Sequence, residues 1–166
     1  MNLLEDYHSF YGLCFNMNNR KLAKQVFDRL PSRVKRLIEK KRVYVCDSMV
    51  RYKNPNLKVH GMAAGFYHVG KGIIDIIPQN PPWSDKATLG LIVHETAHAY
   101  IDKTFCLLQK AFFKYRFKRL SAQEKEFYPE YQELHANWLA AKWGFAEEII
   151  ALDKERVISF SNGLSN

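Results

Sequence analysis

The chain has 166 residues, a mass of 19.5 kDa and a formal net charge of +8, from 25 basic and 17 acidic residues. Hydrophobic residues make up 47% of it and aromatic residues 14%, which suffices for a core and excludes an intrinsically disordered chain. There is no apolar run of the roughly 20 residues that span a bilayer, and the early acids of residues 1–6 predict no signal peptide.

Three widely spaced cysteines predict neither a disulfide scaffold nor a zinc site built from thiolates. They are Cys14, Cys46 and Cys106. Reduced cysteines and the absence of a membrane segment together predict a cytoplasmic protein without a membrane partner.

Residues 1–42 are predicted to be a basic, helical segment that packs on the same domain as the rest of the chain. An apolar residue recurs every four positions in residues 20–30, which predicts an amphipathic helix with Asn18-Asn19 at its cap. Pro31 then opens a second helix that runs to Lys40.

Residues 43–158 are predicted to form one α+β domain around a small mixed or antiparallel sheet. Residues 43–46 alternate between apolar and polar side chains, which favours a short strand. A second strand ends before Gly70-Lys71-Gly72, a hairpin turn, and the β-branched residues 73–77 form the strand that follows it.

Helices are predicted after the sheet, and a polar tail, residues 159–166, ends the chain. Ser84 or Asp85 caps the first of these helices, and Gly144 is the C-cap of the third. The predicted helices span residues 86–102, 104–120, 130–143 and 145–156.

A His-Glu-x-x-His motif lies inside the first of these helices. His94 and His98 are four residues apart, so they lie about one turn apart on one face and can bind the same Zn²⁺. Glu95 follows the first histidine and can reach a water bound to that metal, as the base that activates it and the acid that protonates the leaving amine. The motif predicts a zinc peptidase.

A catalytic zinc usually has three protein ligands, so the third must come from elsewhere in the chain. Glu133 is the preferred candidate, because Asn137 follows it one turn later on the same helix face. The amide oxygen of Asn137 can accept the free imidazole N–H of a ligand histidine. The other downstream candidates are Glu126, Glu130 and His135.

The chain resembles the gluzincins, zincins with a glutamate as third ligand, and more narrowly the ImmA/IrrE-type metallopeptidases. The residues that carry the resemblance are Ala64-Gly65-Phe66-Tyr67, Ile92-Val93-His94-Glu95-Thr96-Ala97-His98-Ala99 and Glu133-Leu134-His135-Ala136-Asn137-Trp138-Leu139-Ala140-Ala141. The resemblance implies a zincin-like fold in which the sheet packs on the motif helix and the third-ligand helix. It also implies a hydrolase of bacterial, phage or mobile-element origin; several members cleave a DNA-bound repressor.

Three further residues are candidates for contact with substrate or with the oxyanion of the reaction. Tyr67 and His68 lie on the strand before the motif helix, and His135 lies two residues after Glu133. The favoured interpretation of Tyr67 and His68 is a half-buried aromatic strand, and that of His135 is a surface or packing residue. Asp102, one turn after His98, is expected to be a solvated residue near a helix end.

Basic side chains are concentrated in two segments, residues 20–42 and 103–119. The first segment contains ten basic and two acidic residues. Its net charge of +8 therefore equals the formal net charge of the whole chain. A nucleic-acid surface is one interpretation and a solvated basic face is the other. Two alternatives to the peptidase therefore remain: a zincin-shaped binding module for a protein or nucleic acid, and a SprT-like protease acting on DNA-bound proteins. The second expects a histidine soon after the motif, and residues 99–134 contain none.

Overall fold

The computed structural model of the protein describes residues 9–47, 64–79, 82–104 and 132–163, with the single residues 115, 119 and 121. Within this part of the chain, helices surround a three-stranded mixed sheet, so the predicted α+β class is confirmed. Cys106, most of the basic insert and the two candidate ligands Glu126 and Glu130 lie outside the described residues.

Helix α1, Met17–Arg29, buries Leu22, Ala23 and Val26 on one face. Its N-cap is Asn16, whose side chain accepts hydrogen bonds from the backbone N–H groups of Asn18 and Asn19 at 2.9 and 3.2 Å. The predicted cap was wrong by two residues, because several asparagines follow one another here and the pattern alone does not select one.

Helix α2, Ser32–Lys41, begins directly after Pro31, as predicted. Val34 and Ile38 are buried, while the basic residues occupy the remaining faces. Arg42 follows in the left-handed conformation, with φ of 51°, and this residue turns the chain into the first strand.

The sheet consists of β1, Tyr44–Asp47, β2, Gly65–His68, and β3, Ile73–Ile76, in the order β1-β3-β2. Strands β2 and β3 are antiparallel and are joined through the predicted turn at residues 70–72. Strand β1 pairs with β3 in parallel, which makes the sheet mixed. Strand β2 is therefore an edge strand of this sheet, and it packs on the next helix.

Helix α3, Asp85–Thr104, contains the motif and contacts α1, α2, β2 and β3. Leu91, Ile92 and Val93 are all buried, so the helix is covered on more than one face, as befits a central core helix. Ser84 is its cap: the Ser84 hydroxyl oxygen accepts the N–H of Ala87 at 3.3 Å. The predicted span, 86–102, was short by one residue at the start and by two at the end.

The C-terminal part consists of α4, whose described residues are 132–140, a π-helical turn, Ala141–Phe145, and α5, Ala146–Gly163. Gly144 has a φ of 92° at the kink, the left-handed backbone expected of its predicted C-cap role. The predicted end of the last helix at residue 156 was wrong, since α5 continues through residues 159–163 of the predicted polar tail.

Two contacts hold this C-terminal part against the rest of the core. Arg29 donates to the Gly144 carbonyl oxygen at 2.9 Å and to Glu148 at 2.6 Å, while its guanidinium lies 4.1 Å from the Phe145 ring centroid. Helix α5 also approaches α3 closely at Gly90, where a Cβ would overlap the Glu148 carbonyl oxygen. Among the described helices, none is both long enough and apolar enough to cross a membrane.

Candidate metal centre

The two histidines of the motif lie side by side in the buried middle of α3. His94 is fully buried and His98 is partly exposed. Their rings meet edge to face with centroids 4.7 Å apart, and their Nε2 atoms are 3.1 Å apart. The i, i+4 spacing therefore brings the Nε2 atoms of the two imidazoles close together on one helix face, as predicted.

Glu133, on α4, supplies a carboxylate at the same point. Its Oε2 lies 3.0 Å from His94 Nε2 and its Oε1 lies 3.2 Å from His98 Nε2. Ligand atoms about 2.0–2.1 Å from a tetrahedrally coordinated ion stand roughly 3.3 Å from one another. The three donors thus have nearly the separations that a shared zinc ion requires, and they form the one such metal-compatible group among the described residues.

Asn137, one turn after Glu133, holds the ring of His94. Its Oδ1 accepts a hydrogen bond from His94 Nδ1 at 2.7 Å. Because an amide oxygen can only accept, the Nδ1 of His94 donates this hydrogen bond, and its Nε2 faces the carboxylate of Glu133. This is the orientation that a metal-ligating histidine needs, and the sequence predicted the contact.

The electrostatics of the cluster follow from these contacts. Burial disfavours the charged imidazole of His98, but the hydrogen bond that His98 donates to Glu133 and the charges of Glu95 and Glu133 outweigh it, so the pKa of His98 is raised. Hydrogen bonds from His94 and His98 hold the pKa of Glu133 well below its usual range, although burial opposes this. Glu133 is therefore ionised at neutral pH and is a candidate anionic ligand.

Glu95 lies beside the cluster and takes no part in it as a ligand. Its side chain is 6% exposed, and its Oε2 accepts the backbone N–H of Tyr67 at 2.9 Å. A buried carboxylate needs such a partner, because its desolvation is otherwise unfavourable. The edge strand β2 supplies that partner while leaving the second carboxylate oxygen, Oε1, for other contacts.

The other candidate residues have contacts with residues other than the three candidate ligands. The hydroxyl of Tyr67 donates to Asp102 Oδ2 at 2.8 Å, and His68 Nε2 lies 2.6 Å from Asp75 Oδ2 on the neighbouring strand. The ring of His135 lies beside Trp138, with centroids 5.9 Å apart.

Two acidic residues near the site were missed as partners by the sequence analysis. Asp102 was expected to be solvated, yet its side chain is 11% exposed and contacts both Tyr67 and Lys103. Asp75, the partner of His68, lies in a β-branched strand. The sequence did contain a signal for Asp102. Its spacing of seven residues from Glu95 places both side chains on one face of α3, which could have indicated that Asp102 lies near the site.

A basic cleft lies away from the metal centre, between α2 and the C-terminal end of α3. The cleft is a cavity of about 230 Å³. Its lining consists of Arg33, Arg36, Leu37, Lys40, Tyr100 and Thr104. The three basic side chains form no ion pair with another described residue.

No family model, no curated protein and no solved structure matches the chain. The functional argument for this protein therefore depends on the geometry of its own residues.

Proposed function

We propose that the protein is a zinc-dependent metallopeptidase with a zincin-like fold. The observation that carries this proposal is the convergence of His94, His98 and Glu133, within 4.8 Å of one another, next to the buried carboxylate of Glu95. Three protein ligands from two helices, with a carboxylate one residue after the first ligand, are typical of a catalytic rather than a structural zinc site.

His94, His98 and Glu133 would hold the ion. When bound, Zn²⁺ would lower the pKa of water and polarise the carbonyl of the scissile peptide bond. Glu95 takes the proton from the attacking water on its free oxygen and passes it to the leaving amine. Asn137 holds Nδ1 of His94, so the imidazole presents Nε2 at the ligand position.

The proposed substrate is a protein or peptide, and a DNA-bound regulator is the kind of protein substrate that the ImmA/IrrE resemblance suggests. Strand β2 lies beside Glu95 and is an edge strand among the described strands, and an edge strand can pair with an extended peptide through its remaining backbone groups. A cytoplasmic location is part of the proposal, supported by the free thiols of Cys14 and Cys46.

The experiment that tests the proposal compares zinc-loaded wild type with Glu95→Gln on a peptide library. The amide cannot accept the proton of water, so hydrolysis should fall by roughly 10²–10⁴-fold, the usual scale for one acid–base group. Zinc content and thermal unfolding should not change, since Glu95 is not one of the three ligands. Equal hydrolysis by both proteins would overturn the peptidase proposal.

A second candidate is a binding module for nucleic acid, favoured by the basic cleft along α2. Three cations without described ion partners line one cavity, and phosphates are the anions that such clusters bind through counterion release. Fluorescence anisotropy with a labelled DNA duplex, repeated over a salt series, tests this. Replacing Arg33, Arg36 and Lys40 by Gln should reduce the salt dependence by roughly one unit of slope per lost phosphate contact.

The matched control for that experiment is Lys24→Gln, whose ammonium group already pairs with Asp28 at 2.7 Å. It removes a positive charge outside the cleft and should leave the salt dependence unchanged. DNA binding together with no zinc-dependent hydrolysis by the wild type would favour the binding module over the peptidase.

A further inference from the structure

Tyr67 contacts the motif helix α3 at two places. Its backbone N–H donates to Glu95 Oε2 at 2.9 Å, and its hydroxyl donates to Asp102 Oδ2 at 2.8 Å. Glu95 and Asp102 are seven residues apart, so their backbones are separated by two helical turns, about 10.5 Å along the axis. One tyrosine on the edge strand therefore spans the segment of α3 that carries His98.

A third contact aligns the same strand with the same helix face. A Cβ on Gly65 would lie 3.1 Å from Leu91 Cδ1 and 3.0 Å from the carbonyl oxygen of Asp75. Leu91, Glu95 and Asp102 follow one another at spacings of four and seven, which places them along one face of α3. Strand β2 is thus held against α3 at its first residue by close packing and at Tyr67 by two hydrogen bonds.

We propose that Tyr67 is a positioning residue for Glu95: the bond from its hydroxyl to Asp102 fixes the edge strand so that its N–H orients the Glu95 carboxylate. This inference rests on the proposed function, in which Glu95 is the base. The N–H occupies Oε2 and directs the carboxylate, and Oε1 is then the oxygen that faces the attacking water.

The anchor matters because β2 is short and, among the described strands, has a neighbour on one side only. Four residues pair with β3, and the other edge faces α3. Without the hydroxyl bond, the backbone of residue 67 is held by the pairing of its neighbours with β3 and by the contact at Gly65. The strand end then moves relative to α3, and a displacement of the base of even a fraction of an ångström slows the reaction.

The charge state of the tyrosine fits this role. Burial raises the pKa of Tyr67, and the hydrogen bond to Asp102 and the charge of Asp102 raise it further. The phenol therefore keeps its proton, and remains a donor to Asp102, at neutral pH.

The test uses zinc-loaded full-length protein and two readouts: steady-state kinetics, and the amide proton shift of residue 67 in ¹⁵N-labelled protein. Tyr67→Phe should lower kcat by about tenfold at unchanged KM and unchanged zinc content. It should also move the residue 67 amide signal towards its position in Glu95→Gln, where the carboxylate acceptor is lost.

Rescue and additivity separate positioning from simple loss of stability. Asp102→Asn keeps an acceptor oxygen and should retain most of kcat, whereas Asp102→Ala should match Tyr67→Phe. The double variant Tyr67→Phe/Asp102→Ala should be no slower than either single variant. Each of the three variants removes the same hydrogen bond, the one from the Tyr67 hydroxyl to Asp102. Tyr44→Phe, the same change on β1, is the matched control and should alter neither readout.

An unmoved residue 67 amide and an unchanged kcat in Tyr67→Phe would overturn the inference. So would additive losses in the double variant. Failure of the proposed function has a different signature, namely undiminished hydrolysis in Glu95→Gln, whatever the amide signal does.

Discussion

Two histidine–carboxylate contacts of similar length lie in different parts of the molecule. On the sheet, His68 Nε2 lies 2.6 Å from Asp75 Oδ2, and in the helical cluster His94 Nε2 lies 3.0 Å from Glu133 Oε2. The sheet contact joins one imidazole to one carboxylate. In the helical cluster His98 also approaches Glu133, at 3.2 Å.

The difference lies in how each region assembles its residues. His68 and Asp75 are diagonal neighbours on an antiparallel pair, so the local ladder brings them together. His94 and His98 share one helix face, and their carboxylate comes from another helix 35 residues further along the chain. A histidine–carboxylate contact alone is therefore a weak indicator of a metal site, and convergence of a second imidazole is the informative feature.

The largest expected effect comes from the same substitution made in both regions. His94→Gln/His98→Gln should abolish stoichiometric zinc binding, because two of the three protein ligands are lost. His68→Gln should retain about one Zn²⁺ per chain, because His68 is not one of the three proposed ligands of the single zinc ion. Metal analysis of the purified proteins measures both. Full zinc in the double variant, or its loss in His68→Gln, would break the distinction between the two regions.

The next effect concerns the carboxylates. Glu133→Ala should weaken zinc binding by about 10²–10⁴-fold, the share of one of three protein ligands in a binding free energy of about 10–16 kcal/mol. Asp75→Asn should have no effect on zinc affinity, since Asp75 pairs with His68 alone among the histidines.

Two further substitutions separate Glu133 from the other candidate ligands. Glu130→Ala and His135→Ala should leave zinc affinity unchanged, because the helical argument assigns the third ligand to Glu133. Competition with a chromophoric chelator measures each affinity. A loss on His135→Ala as large as that on Glu133→Ala would show that the third ligand is misassigned.

A smaller effect is expected from the residue that orients a ligand. Asn137→Ala should reduce zinc affinity about tenfold, at the low end of the range for such partners, because His94 loses the acceptor of its Nδ1–H. Asn137→Asp retains an acceptor oxygen and should bind zinc at least as well as the wild type. Isothermal titration calorimetry distinguishes them; equal affinity in Asn137→Ala would remove Asn137 from the site.

The smallest effect is the pH dependence of zinc binding. The pKa of His98 is raised from its ordinary value of 6.5, and zinc binds the neutral imidazole. As pH falls through that raised pKa, a proton competes with the metal and affinity drops by up to tenfold per pH unit. As pH rises through it, the competition disappears and the affinity levels off.

Glu133→Gln provides the control for this pH dependence. The hydrogen bond and charge of Glu133 raise the pKa of His98, so the variant should begin to lose zinc affinity at a lower pH than the wild type. Chelator competition at a series of pH values measures the onset. An onset at the same pH in both proteins would show that Glu133 does not act on His98.

Several features of the fold were predictable because their causes are local. The helix after Pro31, the cap at Ser84 and the hairpin at residues 70–72 each depend on a few adjacent residues. The cap of α1 and the end of α5 were misplaced, because neighbouring asparagines compete in the first case and a polar sequence remained helical in the second.

By itself the sequence determined the elements that depend on spacing along one helix: the imidazole pair of His94 and His98, and the shared face of Glu133 and Asn137. Only the tertiary structure decided that α3 and α4 face each other and that β1 pairs in parallel with β3. It also decided that Tyr67 bonds to Glu95 and Asp102. The physical reason is that helical periodicity is a property of consecutive residues, whereas these contacts depend on how separate elements bury their apolar faces together.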